Sequence, residues 1–97
     1  MQDLQKQLEA LQQLRSFLSY FNESMREKSV EFNDRFHNIR ESGLSAQFAD
    51  NYEANFADPN LQNLRYLIAN ITEKDLPYVN ENIAIITEAL ERARMGG

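Results

Sequence analysis

The first 42 residues contain neither glycine nor proline. Val30 and Ile39 are their only β-branched aliphatic residues, among many Leu, Gln, Glu, Arg and Ala, which favour helix. Apolar residues recur in alternating steps of four and three, the spacing of one helix face. They are Leu4, Leu8, Leu11, Leu18, Met25, Phe32, Phe36 and Ile39. The sequence therefore predicts one long helix over residues 1–42.

Three polar residues complete the spacing of this apolar stripe: Arg15, Asn22 and Ser29. Buried polar layers of this kind fix helix register and the choice of partner, at a cost in stability. The alternative is that the stripe faces water at these positions. The sequence leaves both interpretations open.

A second apolar line, formed by Leu14, Phe17 and Phe21, lies beside the stripe in the N-terminal half of the predicted helix. The rest of the chain offers only one stripe to cover the two lines. Soluble proteins rarely leave such a patch in water. We therefore predict that these three residues form an interface with a second helical hairpin.

Gly43 is predicted to end the first helix, because glycine readily adopts the left-handed conformation of a helix C-cap. Apolar residues then recur every fourth position at Leu44, Phe48, Tyr52 and Phe56. This spacing predicts a turn and a short connector helix within residues 43–58.

Asp58-Pro59 is expected to begin a second helical arm over residues 59–95, with Asp58 as the N-cap and Pro59 in the first turn. Two sets of apolar residues follow, and the second is displaced in phase from the first. The first set is Leu61, Leu64, Ile68 and Ile71, and the second is Val79, Ile83, Ile86, Leu90 and Ala93. Pro77 stands between them, so the arm is expected to be kinked or broken there.

The predicted fold is therefore all-α: a long antiparallel helical hairpin with a short connecting helix, forming a single domain over residues 1–97 and assembling into a helical bundle. Two lone helices bury too little apolar surface to offset the entropy of ordering them. A homodimer or heterodimer with another hairpin is therefore expected. At the closed end, Phe32, Phe36 and Ile39 are expected to pack against the region of Leu61, Leu64 and Ile68.

The amino-acid composition excludes several kinds of site and partner. The chain has no cysteine, which excludes disulfides, thiolate metal sites and cysteine nucleophiles. Its 15 acidic and 10 basic residues give a net charge of -5, the wrong sign for binding nucleic acid. No apolar run approaches the roughly 20 residues of a membrane span, and no signal-peptide core is present. We expect a cytoplasmic protein, or one secreted without a cleaved signal peptide.

No arrangement of residues indicates catalysis. His37 is the only histidine, and it follows Asp34 at the three-residue spacing of helical metal sites. A di-metal carboxylate site would need a second such pair, which the chain lacks. Gly-rich phosphate loops and nucleophile motifs are also absent. We therefore expect no enzyme activity, metal, cofactor or small-molecule substrate.

The connector is acidic and aromatic. Between Arg40 and Arg65 there is no positive charge. This stretch interleaves Glu41, Asp50, Glu53 and Asp58 with Phe48, Tyr52 and Phe56. One interpretation is a docking surface for a basic partner. The other is a cap whose aromatic side chains pack over the end of the hairpin.

Residues 41–48 resemble the turn of the WXG family, the helical-hairpin substrates of type VII secretion. Gly43 matches the family's Trp-x-Gly glycine, Ser45 and Ala46 its small residues and Phe48 its aromatic residue. Glu41 stands at the tryptophan position, and Asn82, four residues after Tyr78, replaces the acidic residue of the family's export signal. The resemblance implies a dimer-forming secretion substrate, or a small partner that escorts a toxin. The competing class is an acidic assembly chaperone or coiled-coil adaptor subunit.

Overall fold

A computed structural model describes residues 2–96, and nearly all of them are helical. Helix α1 spans Gln2–Gly43, and residues 44 and 45 connect it to a second helical arm. The all-α prediction is confirmed, and the described residues include no strand. None of the helices within residues 2–96 has both the length and the hydropathy needed to cross a membrane.

The second arm is helical from Ala46 to Met95 and contains two π turns, in which an N–H bonds to the carbonyl five residues earlier. Its segments are α2 (Ala46–Tyr52), the first π turn (Glu53–Ala57), α3 (Asp58–Asn70), the second π turn (Ile71–Asp75) and α4 (Leu76–Met95). The N–H of Asp58 donates to the Glu53 carbonyl, and the N–H of Leu76 donates to the Ile71 carbonyl.

Both prolines follow a π turn by two residues. A proline ring clashes with the carbonyl four residues earlier, and that carbonyl belongs to the π turn before Pro59 and before Pro77 alike. The wider turn lets the helix continue. The α-helical pattern is therefore interrupted ahead of Pro77, as predicted, but the helix is not broken.

The predicted helix start at Asp58 is wrong. Asp58 has helical dihedrals, φ -63° and ψ -45°, whereas an N-cap residue is extended. The connector helix therefore runs through the first π turn into α3. The residue that caps the second arm is Ser45, which is extended and whose Oγ accepts a hydrogen bond from the Phe48 N–H at 3.2 Å.

Gly43 ends α1 with a φ of 151°, a value that residues with a Cβ rarely adopt. A Cβ added at this position would meet no atom within 4 Å, so only the backbone constrains the residue. The change of direction thus takes place over residues 43–45.

Gly43→Ala should lower the free energy of unfolding by about 1 kcal/mol, because alanine is strained at this φ. Urea unfolding followed by circular dichroism measures the loss, with Gln47→Ala on an exposed position of α2 as the control. Equal stability of the two variants would show that the turn adopts another backbone conformation in solution.

The chain contacts divide it into two compact units. We call them the terminal unit, which joins residues up to Asn22 with those from Asn70 onward, and the turn unit, residues 23–69. Buried apolar residues of the terminal unit are Ile71, Val79 and Leu90. Those of the turn unit are Ala49, Ala57, Leu61 and Ile68.

In the turn unit, the end of α1 packs against α2. The Phe36 ring stacks on Tyr52, with centroids 5.4 Å apart, and Ile39 is 55% exposed. The expectation that Ile39 packs against α3 is therefore wrong. Since the helix resumes at Ala46, α2 takes the place beside α1 that the sequence analysis assigned to α3.

Candidate interaction surfaces

A buried polar layer joins the two chain segments of the terminal unit. Asn22 is 4% exposed, and its Nδ2 donates to the Thr72 Oγ1 at 2.9 Å. Seven residues earlier on α1, the Arg15 Nη1 donates to the Asn80 Oδ1 at 3.5 Å, but both side chains are exposed, so Arg15 forms no buried layer. From Asn22 to Arg15 the residue number on α1 falls, while that of the partner rises from Thr72 to Asn80. The two segments therefore run antiparallel. The interpretation of Asn22 as a buried layer is correct.

The third polar residue of the stripe behaves differently. The Ser29 Oγ donates to the Arg26 carbonyl of its own helix at 2.8 Å. This contact satisfies the hydroxyl locally and links Ser29 to no other helix. Asn22 is the only buried residue of α1 among those described, and it is the polar position best placed to fix register.

Leu14, Phe17 and Phe21, which we call the α1 strip, form a continuous apolar surface on the terminal unit. Leu14 is 42% exposed, Phe17 is 58% exposed and Phe21 is half-buried. The Phe17 and Phe21 rings lie 6.0 Å apart between centroids. The second arm leaves much of Leu14 and Phe17 uncovered, as expected from a single covering stripe.

A shallow groove continues the α1 strip toward α4. It is lined by Leu14, Leu18, Lys74, Asp75, Tyr78 and Val79. The Tyr78 side chain is 68% exposed at its edge. Residues 1–22 carry two acidic and two basic side chains, so this part of α1 has no net charge.

Five aromatic rings form a row on the turn unit, which we call the aromatic row. Phe32 stacks on Phe36, Phe36 on Tyr52, and Tyr52 on both Phe48 and Phe56, with centroid distances of 5.4 to 6.3 Å. Phe48 and Phe56 are 56% and 60% exposed. These two side chains stack on Tyr52 but stay more than half exposed, so they cover the end of the hairpin only in part.

The buried residues of this part of the second arm are alanines. Ala49 is fully buried and Ala57 is 3% exposed, whereas Phe48 and Phe56, the residues just before them, are exposed. Small side chains on the inner face let two helices approach closely. The aromatic side chains are consequently displaced to the rim of the helix pair.

An apolar groove of about 300 Å³ lies between α1 and α2 in the turn unit, and we call it the aromatic groove. It is lined by Phe32, Arg35, Phe36, Ile39, Phe48 and Tyr52. Phe48 and Tyr52 are among the predicted interface residues, whereas the apolar side chains on the α1 side of the groove were predicted to lie in the core. The signal for an apolar surface on this side was present, because Phe32, Phe36 and Ile39 continue the α1 stripe up to the turn.

Arg40 links the end of α1 to the second arm through two ion pairs. Its Nη2 donates to the Asp50 Oδ1 at 2.6 Å and its Nη1 donates to the Glu53 Oε1 at 2.8 Å. The hydrogen bonds to Glu53 and then to Asp50 raise the pKa of the Arg40 guanidinium above its usual value. This cation is thus fully engaged by two acidic residues of the second arm.

The sequence that contains the aromatic groove is acidic. The turn unit contains eight acidic and five basic residues, a net charge of -3, and within it residues 31–58 contain six acidic and two basic residues, a net charge of -4. Both basic residues are ion-paired, Arg40 as described and Arg35 with Glu31 at 3.1 Å. The remaining acidic side chains, among them the exposed Asp34 and Asp58, leave the surface negative.

His37 of the Asp34–His37 pair contacts Glu41. The His37 Nε2 lies 3.1 Å from the Glu41 Oε1, one turn away on α1, and the His37 side chain is 67% exposed. Within residues 2–96, no three His, Cys, Asp or Glu side chains are grouped so that they could hold a metal ion.

No family model, curated protein or solved structure matches the chain. The resemblance to the WXG family therefore rests on residues 41–48 and on the predicted helical hairpin.

Proposed function

We propose that the chain is a non-enzymatic protein–protein interaction module, a helical hairpin that pairs with a second hairpin through the α1 strip. The exposure of Phe17 carries this proposal, because a 58% exposed phenylalanine stands beside two further apolar residues. Burying apolar surface contributes roughly 25 cal/mol per Å², and large aromatic side chains dominate such contacts.

The partner we favour is a second copy of the chain, which would give a four-helix bundle. The absence of net charge in residues 1–22 supports this choice, because two copies of the strip can approach without repulsion. A different hairpin would use the same surface in a heterodimer.

Two classes of protein fit this module. The WXG-like class would be a type VII secretion substrate or a toxin escort, exported without a cleaved signal peptide. Its support is the glycine at residue 43 and the small cap residue Ser45. The alternative is an acidic assembly chaperone or coiled-coil adaptor, supported by the acidic turn unit. A chain that dimerises by itself favours the first class, and one that aggregates without a partner favours the second.

We expect the wild-type chain to be a dimer at tens of micromolar, roughly the range in which an association of 8 kcal/mol is populated. Combining Phe17→Glu with Phe21→Glu should give a monomer, because two carboxylates would have to be desolvated in the interface. Multi-angle light scattering gives the mass of each species.

Val30→Glu combined with Tyr66→Glu is the matched control. It adds the same charge at two exposed apolar positions outside the strip, which are 60% and 61% exposed. This variant should remain dimeric. A wild-type chain that is monomeric at the same concentration would rule out self-association, and equal dissociation of both variants would show that the strip has no special role.

A further inference from the structure

We propose that the aromatic groove of the turn unit binds a basic amphipathic helix of a partner protein. This surface lies in residues 32–52, whereas the α1 strip lies in residues 14–21. The proposal therefore goes beyond pairing through the strip and does not depend on it.

The groove has the form that an amphipathic helix requires. It lies between two helices of the turn unit, with Phe32, Phe36 and Ile39 on one side and Phe48 and Tyr52 on the other. Arg35 also lines the α1 side, where it is ion-paired with Glu31. A third helix can place apolar side chains spaced three and four residues apart into such a groove. Its volume of about 300 Å³ is at the lower end of the range for ligand pockets, so it fits side-chain anchors better than a small molecule.

The exposed rings are arranged in advance of binding. Phe48 stacks on Tyr52 with an interplanar angle of 9°, and Tyr52 stacks on the half-buried Phe36. Each ring is thus positioned by its neighbour, and little side-chain entropy remains to be lost on binding. Aromatic residues of this kind are enriched among those that dominate binding energy.

The charge of the residues around the groove favours a basic partner. Residues 31–58 carry a net charge of -4, and their two arginines are already paired with Glu31, Asp50 and Glu53. A cationic helix is attracted to this surface and oriented by it. A second copy of the chain would instead bring a net charge of -4 against an equal charge, which disfavours self-association at this face.

The probe is a synthetic 18-residue peptide with leucines at amphipathic spacing and lysines elsewhere, carrying a fluorescent label. We expect it to bind the full chain saturably in fluorescence anisotropy. Two control peptides should not bind: one with glutamate in place of lysine, and one of the same composition with the apolar spacing scrambled. Binding of the scrambled peptide as tightly as the amphipathic one would overturn the proposal.

The variant Phe48→Glu distinguishes binding in the groove from binding through charge alone. The added carboxylate makes the surface more negative, so purely electrostatic adhesion would strengthen, whereas loss of an apolar anchor should weaken binding at least about tenfold. Val30→Glu adds the same charge at a position outside the groove and should bind at least as tightly as wild type. Circular dichroism establishes that both variants are folded.

Removing charge outside the groove lining gives the complementary test. Combining Asp34→Asn with Asp58→Asn should weaken peptide binding by about two- to fivefold, since exposed charge pairs contribute modestly. Undiminished binding of Phe48→Glu would overturn the proposal. So would loss of binding in Phe17→Glu, which would place the peptide on the α1 strip. Dissociation of the dimer by Phe48→Glu would assign the groove to a second copy instead.

Discussion

Asn22→Asp is expected to lower the free energy of unfolding by about 3 kcal/mol at neutral pH. Asn22 is 4% exposed and donates to Thr72, so the variant places a carboxylate where water does not reach. The Thr72 hydroxyl can rotate to donate to the new carboxylate. One hydrogen bond from a neutral hydroxyl does not offset the hydration that a buried carboxylate loses.

The loss should depend on pH in a defined direction. Burial raises the pKa of the introduced carboxyl above its value of about 3.9 in the unfolded chain. The protonated form is therefore favoured in the folded state. Relative to wild type, the variant should be nearly unimpaired below about pH 3.9 and should lose stability as the pH rises through the folded-state pKa.

Urea unfolding of wild type and variant between about pH 3.5 and 8 measures this difference directly. Asn22→Leu is the control, since it removes the same hydrogen bond without adding a charge. Its difference from wild type should not change with pH in this range. A loss for Asn22→Asp that is equal at both ends of the range would mean that the position is hydrated in solution.

The extent of α1 could be predicted because two independent signals agree over its whole length. Glycine and proline are absent before Gly43, and the apolar stripe keeps its heptad spacing throughout. The structure ends α1 at Gly43, one residue beyond the predicted helix. Periodicity also identified Leu61, Ile68 and Ile71 as an inner face, and all three are buried.

The path of the second arm was predicted only in part, because Asp58-Pro59 was interpreted as a helix start and Pro77 as a kink or break. The structure resolves each clash by widening the preceding turn, and whether that occurs depends on packing elsewhere. The spacing of the buried residues nevertheless contains a sign of the two π turns. Ala49 and Ala57 are buried eight residues apart, as are Ile71 and Val79, and each pair spans a π turn.

Eight residues at 100° each leave two side chains about 80° apart on an α-helix. One extra residue in a π turn brings the same two positions back to one face. The displaced phase of the apolar residues after Pro77 is therefore the expected mark of a π turn. Before Pro59 no such phase shift was recognised, because the buried residues there are alanines. The apolar spacing instead indicated the more hydrophobic Phe48 and Phe56 as the inner face, but they are exposed.

Leu61→Ala and Leu67→Ala should differ strongly although the chemical change is the same. Leu61 is 9% exposed and Leu67 is 44% exposed, and both lie on α3. Truncating a buried leucine removes apolar contacts and leaves a cavity, at a cost of about 2 to 5 kcal/mol. At the exposed Leu67 little contact is lost and no cavity forms. The higher helix propensity of alanine partly offsets the small remaining loss of stability.

For a chain of this size, 1 kcal/mol corresponds to roughly 4 to 8 °C in the melting temperature. Leu61→Ala should therefore lower the melting temperature by about 10 °C or more, and Leu67→Ala by only a few degrees. Protein concentration must be held fixed, because association with a second copy would itself raise the melting temperature. Similar losses in the two variants would show that Leu67 is covered in the assembled protein. The outer face of α3 would then be an interface in addition to the α1 strip and the aromatic groove.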